Sequence, residues 1–193
     1  LIRNLFPGVL VFVLVLASCA GPARRVDRAM PYEDRMRLAS IYVQSERLDK
    51  AVPVLEDAAD QEPGRSEAHA MLGEVLFLGG DLEGSARSLT RALEVGGDDP
   101  VVLNNLAWVE LKRGNLKEAF AMIERALGTN PVPMYLYLDT RARILQALER
   151  YEEALRDARA ALRIAPDHDA EAVSKLENLI RELEKMAPGE GYY

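Results

Sequence analysis

A single cysteine, a single tryptophan and two histidines among 193 residues leave this chain few of the side chains from which reactive or metal-bound centres are built. One thiol makes no internal disulfide, so the core must hold the fold together unaided. His69 and His168 are far apart, no His-x-x-x-His spacing occurs, and no second cysteine exists, so no zinc site is expected. No serine is flanked by the glycines of a nucleophile elbow. No glycine-rich phosphate loop is present either; Gly79-Gly80 reads as a turn between helices. The 31 acidic residues outnumber the 24 basic ones, for a formal charge of −7. An acidic, aromatic-poor chain is a poor nucleic-acid binder. Neither an enzyme nor a cofactor is therefore expected. Long apolar runs are also missing. The stretch Val9 to Leu16 is uninterrupted, but a membrane-spanning helix needs roughly 20 residues.

That run has another use. It forms the centre of "VLVFVLVLASCAG", Val9 to Gly21, with Arg3 upstream and small residues just before Cys19. A charged start, an apolar stretch of about 7–15 residues and small residues at the end describe a secretory signal. Leu16-Ala17-Ser18-Cys19 resembles the lipobox of bacterial lipoproteins. The resemblance implies that residues 1–18 are removed and that Cys19 becomes the lipidated amino terminus, anchoring the chain to a membrane. Ala20, rather than aspartate, follows the cysteine, which in that family implies the periplasmic face of the outer membrane in a diderm. Residues 19–31 then form a tether. Its Arg24, Arg25 and Arg28 are read either as contacts to anionic headgroups or as solvated linker charge.

From Tyr32 the chain repeats. "LDKAVPVLEDAADQEP", "LEGSARSLTRALEVGG", "LKEAFAMIERALGTNP" and "YEEALRDARAALRIAP" superpose, each preceded by a second helix-like segment. Units begin at Tyr32, Ser66, Pro100 and Tyr135, spaced 34, 34 and 35 residues apart. The eighth place is Ala39, Gly73, Ala107 and Ala142. The twentieth is Ala51, Ser85, Ala119 and Ala154, and the twenty-seventh is Ala58, Ala92, Ala126 and Ala161. Small residues at these places let helices cross closely, where larger ones would wedge them apart. Leu38, Leu72 and Leu106 recur at the seventh place. Pro63, Pro131 and Pro166 stop the second helices, with Gly97 in that role in the second unit.

This pattern resembles the tetratricopeptide repeat (TPR), whose period is 34 residues with two helices per unit. The resemblance implies an all-α, right-handed superhelical solenoid of four helix pairs, at 32–65, 66–99, 100–134 and 135–168, with the repeat closing at Pro166. Arg141, where leucine is usual, and Glu110, where an apolar residue is usual, depart from the pattern and predict less regular packing or a one-residue shift of the fourth unit's first helix. Residues 167–187 read as a capping helix, N-capped by Asp167 or Asp169, with Val173, Leu176, Ile180, Leu183 and Met186 as its apolar stripe. A repeat stack needs such a polar-backed end. Residues 188–193 are a tail.

In the TPR family the first helices line a concave groove. Carried over residue by residue, that groove presents Glu33, Met36, Ser40, Val43 and Gln44, then Glu67, Ala70, Glu74, Phe77 and Leu78. The third unit adds Val101, Asn104, Trp108, Leu111 and Lys112, and the fourth Leu136, Asp139, Arg143, Gln146 and Ala147. Glu74, Phe77, Asn104, Trp108, Lys112, Asp139 and Arg143 are the candidate partner-binding residues. Trp108 is read either as a groove residue or as packing between units; for Phe77, packing is favoured. The expected function is a membrane-anchored scaffold that binds a protein or peptide in the cell envelope. The alternatives are an assembly factor for a type IV pilus or secretion system and a self-associating structural module.

Overall fold

The computed structural model describes residues 30–187, so the signal and lipobox with Cys19, most of the tether and the tail at 188–193 lie outside the described residues. Within them the chain is helical: α1 (Tyr32–Gln44), α2 (Leu48–Gln61), α3 (Ser66–Leu78), α4 (Leu82–Gly96), α5 (Pro100–Arg113), α6 (Leu116–Gly128), α7 (Met134–Ala147), α8 (Tyr151–Ile164) and α9 (Ala170–Met186). Consecutive helices pack as four pairs, and each pair packs on the next to make a superhelical solenoid.

All twelve small positions are buried. At the α3–α4 crossing a Cβ added to Gly73 would stand 2.5 Å from Leu89 Cγ. Across the same crossing the Ser85 hydroxyl donates to the Gly73 carbonyl at 2.7 Å. The second unit thus spends its smallest residue where two backbones come closest. The turn inside each pair is built the same way four times. The amides of Arg47, Asp81, Asn115 and Arg150 donate to the carbonyls of Tyr42, Leu76, Glu110 and Leu145 at 2.8–2.9 Å. The residue before each of these amides is left-handed: Glu46 (φ 56°), Gly80 (85°), Gly114 (80°) and Glu149 (60°). Glycine takes that conformation freely, and glutamate only under strain.

Neither departure from the repeat pattern disturbs it. Glu110 is buried, and its carboxylate accepts from Arg113 Nη1 and Asn115 Nδ2, both at 2.6 Å. Arg141 donates from Nε and Nη2 to Asp157, at 2.6 and 2.9 Å, and from Nη1 to Glu124 at 2.8 Å. The Asp157 hydrogen bond is the main cause that raises the Arg141 pKa above its ordinary value. No shift of the fourth unit is needed: α7 begins one residue before Tyr135, and Ala142 is fully buried in its expected place. The expectation of irregular packing is therefore corrected, because buried polar groups are tolerated when their hydrogen bonds are met.

The end helix caps the stack, with one revision. Asp169 is the N-cap, accepting from the Ala172 amide at 3.1 Å. The buried residues are Leu176, Leu179 and Leu183, while Met186 is 49% exposed. Leu179 belongs to the stripe and Met186 does not. The reason is the helix's place. Leu179 and Leu183 join Ala142, Leu145, Ala154 and Ala158, while Leu176 joins Tyr135 and Ala161. So α9 faces both helices of the fourth unit, which turns its apolar stripe towards Leu179. It stands where a fifth unit's first helix would stand. Tyr135 donates its hydroxyl to Asp169 Oδ2 at 2.8 Å across a separation of 34 residues, one repeat period.

Candidate functional site

Among the first helices, α5 touches both α3 and α7, whereas no comparable contact joins the second helices to one another. The layer whose members approach each other most closely is the inner side of a curve. The first helices therefore form the concave face, and α9 extends the row.

All of the carried-over residues lie in the first helices, but several are committed to packing. Met36, Val43, Ala70, Phe77 and Leu111 pack against the hydrophobic clusters between helices. Phe77, for example, leans on the cluster of Ala86, Leu89 and Val102. By contrast Leu78, Val101 and Leu136 are large apolar residues left 57%, 57% and 45% exposed. Trp108 is half-buried and belongs to none of the core clusters. Its indole lies instead beside Arg143, whose Cζ is 6.0 Å from the ring centroid, near the outer limit for a cation–π contact. Trp108 and Arg143 occupy the same place in successive units, so the repeat itself puts them side by side.

The charges on the face divide into two kinds. Asp139 pairs with Arg143, Nε donating to Oδ1 at 3.0 Å and to Oδ2 at 3.1 Å. Arg65 lies over the Tyr32 ring at 4.0 Å and donates to Glu33 at 2.6 Å and Glu67 at 3.4 Å. The Glu33 bond chiefly raises the Arg65 pKa. Glu67's own backbone amide, then Arg65, holds that carboxyl below its usual value. Glu74 and Lys112 are exposed and have no ion-pair partner among the described residues. Asn104 Oδ1 is buried with no hydrogen-bond partner among them.

The face also carries a feature that the pattern did not disclose. A cleft of about 280 Å³ opens between α7 and α9, lined by Tyr135, Leu136, Asp139, Asp169, Glu171 and Lys175 among others. The N-cap bond from Ala172, then the Tyr135 hydroxyl, lowers the Asp169 pKa; the same Asp169 bond raises that of Tyr135. The repeat period held the signal, because Asp169 follows Tyr135 by one period. Among the described residues no group of His, Cys, Asp or Glu could hold a metal ion, and no helix is long and apolar enough to cross a membrane.

Comparison with known proteins agrees with this architecture. No curated protein matches the chain. Solved structures do. A MamA structure from Desulfovibrio magneticus RS-1 superposes with a TM-score of 0.65 at 14% identity, covering 85% of this chain and 99% of that one. The pilF protein of Pseudomonas aeruginosa does so at 0.66 and 17% identity, covering 80% and 74%. YrrB, described as a TPR protein with an unusual peptide-binding site, gives 0.64 at 19% identity, covering 76% and 74%. At such identities the likeness is one of fold. Tetratricopeptide repeat family models match residues 36–100, 79–132 and 135–168. With these models spanning well over half its length, the chain belongs to the tetratricopeptide repeat family.

Proposed function

We propose that this protein is a non-enzymatic scaffold that holds a protein or peptide partner on the face of its first helices, and that a lipid on Cys19 keeps it at a bacterial membrane. Trp108 carries the binding half of this reading. A half-buried tryptophan outside the core clusters, on a row of helices that also exposes Leu78, Val101 and Leu136, has the makeup of an interface centre. YrrB's described peptide-binding site lies on the same fold. The anchoring half rests on Leu16-Ala17-Ser18-Cys19 behind its apolar run. With Ala20 next, the outer membrane's periplasmic face is the proposed location. An assembly role for a pilus or secretion machine fits such a scaffold, as does self-association.

Trp108→Ala tests the binding half. As an interface centre, its loss weakens partner capture from membranes by about 2 kcal/mol or more and leaves the melting temperature nearly unchanged. If the indole is core packing instead, the loss costs about 3–5 kcal/mol of stability, and a large fall in melting temperature retires it as a binding residue. Cys19→Ser tests the anchor. The variant is expected to leave the membrane fraction on washing, and an unmodified Cys19 in the mature protein's mass spectrum would remove that half of the reading.

A further inference from the structure

We propose that Arg143 is a carboxylate receptor within the groove, its two terminal nitrogens taking an aspartate or glutamate side chain of the bound partner. This rests on the groove reading above.

The guanidinium is a planar fork of five N–H donors, and here only one is engaged. Nε donates to both oxygens of Asp139. Nη1 and Nη2 have no acceptor among the described residues, and neither is a buried atom. The other half-buried arginines with carboxylate partners differ. Arg65 and Arg141 place both terminal nitrogens on carboxylates, and Arg113 and Arg150 place one each. Arg143 places none, although its side chain is only 28% exposed. It is also held on two sides, by Asp139 at Nε and by the Trp108 ring beside it. A donor pair that is already oriented loses little freedom on binding.

The chemistry of the occupant follows from the fork and its neighbours. Two parallel N–H groups match the two oxygens of a carboxylate, a geometry a lysine lacks. Asp139 balances the arginine's charge, so recognition depends on directed hydrogen bonds. A more highly charged phosphate would meet Asp139 and, beyond it, the carboxylates of Asp169 and Glu171 in the α7–α9 cleft. The row of helices continues past α7 into α9, which leaves room for a segment beyond Arg143. The carboxylate is therefore assigned to a side chain, with a chain terminus as the alternative that a free-acid peptide separates.

Trp108 is the only tryptophan, so its fluorescence reports directly on its neighbour. The full chain is titrated with acetyl-Leu-Asp-Leu-amide, with acetyl-Leu-Asn-Leu-amide, and with acetyl-Leu-Asn-Leu bearing a free terminal carboxylate. The aspartate peptide is expected to bind about tenfold or more tightly than the amidated asparagine peptide, the range for a hydrogen bond between charged groups. Arg143→Gln should abolish that preference. Arg143→Lys, which keeps the charge and loses the fork, should retain only part of it, with circular dichroism confirming that both variants fold. Equal affinities, no saturable response to the aspartate peptide, a preference that survives in R143Q or in full in R143K, or a free-acid asparagine peptide matching the aspartate one would each overturn the proposal. Equal binding of the peptides that is lost in W108A, a variant without tryptophan whose titration is followed by calorimetry, would leave the groove reading standing without it.

Discussion

At the carboxyl end of the solenoid α9 buries Leu176, Leu179 and Leu183 against the fourth unit, whereas at the amino end Leu38 stays half-buried and Ile41 is 52% exposed. Leu38, Leu72 and Leu106 occupy the same place in successive units, yet Leu72 and Leu106 are buried to 8% and 5% exposure. The difference lies in the neighbour. An inner unit's leucine is covered from both sides, and the first unit's from one. The first unit is fastened by other means, notably Arg65, which reaches from the head of α3 to the Tyr32 ring and Glu33. The outer units also carry the strained turns, Glu46 and Glu149, where the inner ones have Gly80 and Gly114. In a repeat protein, then, the same residue is worth a different amount according to how many units flank it.

Removing the better-finished end should have the largest effect. Deleting residues 169–193 strips cover from the fourth unit, and the three leucines lost each contribute roughly 1.5–3 kcal/mol by burial, against typical domain stabilities of about 5–15 kcal/mol. Denaturant unfolding and light scattering should show a much weaker, aggregating chain; a truncated protein as stable and monomeric as the whole would mean that α9 caps nothing. The leucine comparison is sharpened by Leu72→Ala and Leu38→Ala. The first is expected to cost about 2–5 kcal/mol, as buried leucine truncations do, and the second clearly less; equal losses in chemical denaturation would erase the distinction between inner and outer units. Replacing Glu46 or Glu149 by glycine should work in the opposite direction. Relief of left-handed strain, partly offset by glycine's greater unfolded freedom, predicts a gain below about 1 kcal/mol, while the reverse change at Gly80 or Gly114 destabilises.

The smallest effect concerns the cap's first turn. Asp169 is held below its ordinary pKa by the Ala172 amide and the Tyr135 hydroxyl. Its charged form is thus favoured by folding. That contribution is fully present above the unfolded value of about 3.9 and fades as pH falls through the depressed folded value. Asp169→Ala should lower the melting temperature at neutral pH, and the gap from the parent should close in acid; a gap that stays constant would assign the loss to something other than the charge.

The twelve small positions, the unit boundaries and the capping helix were legible in the sequence because each is a local consequence of one period. What escaped depended on pairing between units. Arg141 and Glu110 look like flaws when single places are compared, since nothing in that pattern says that Asp157, sixteen residues on, or Asn115 will meet them. Leu179 escaped because helical spacing within α9 alone also admits a stripe through Val173, Ile180 and Met186. Leu179 follows the buried Leu145 by one period, and extending the repeat register past Pro166 would have found it. The groove was legible as a set of places but not as a set of available atoms. Phe77 and Leu111 spend themselves on packing, and only side-chain geometry shows that Arg143 leaves its fork open.

Every strong helix contact joins elements that are adjacent or next but one along the chain. Such a molecule closes short loops as it folds and does so quickly, and its units open and close as nearly separate links. Amide exchange should therefore run as a gradient, quickest in α1 and slowest in α4 and α5, where both neighbours must yield first. A segment lying across the first helices touches several links at once and binds only while all of them are closed. Its affinity then depends on every link it spans, so that one bound peptide slows opening along that part of the array and couples the pairs it crosses into one cooperative body.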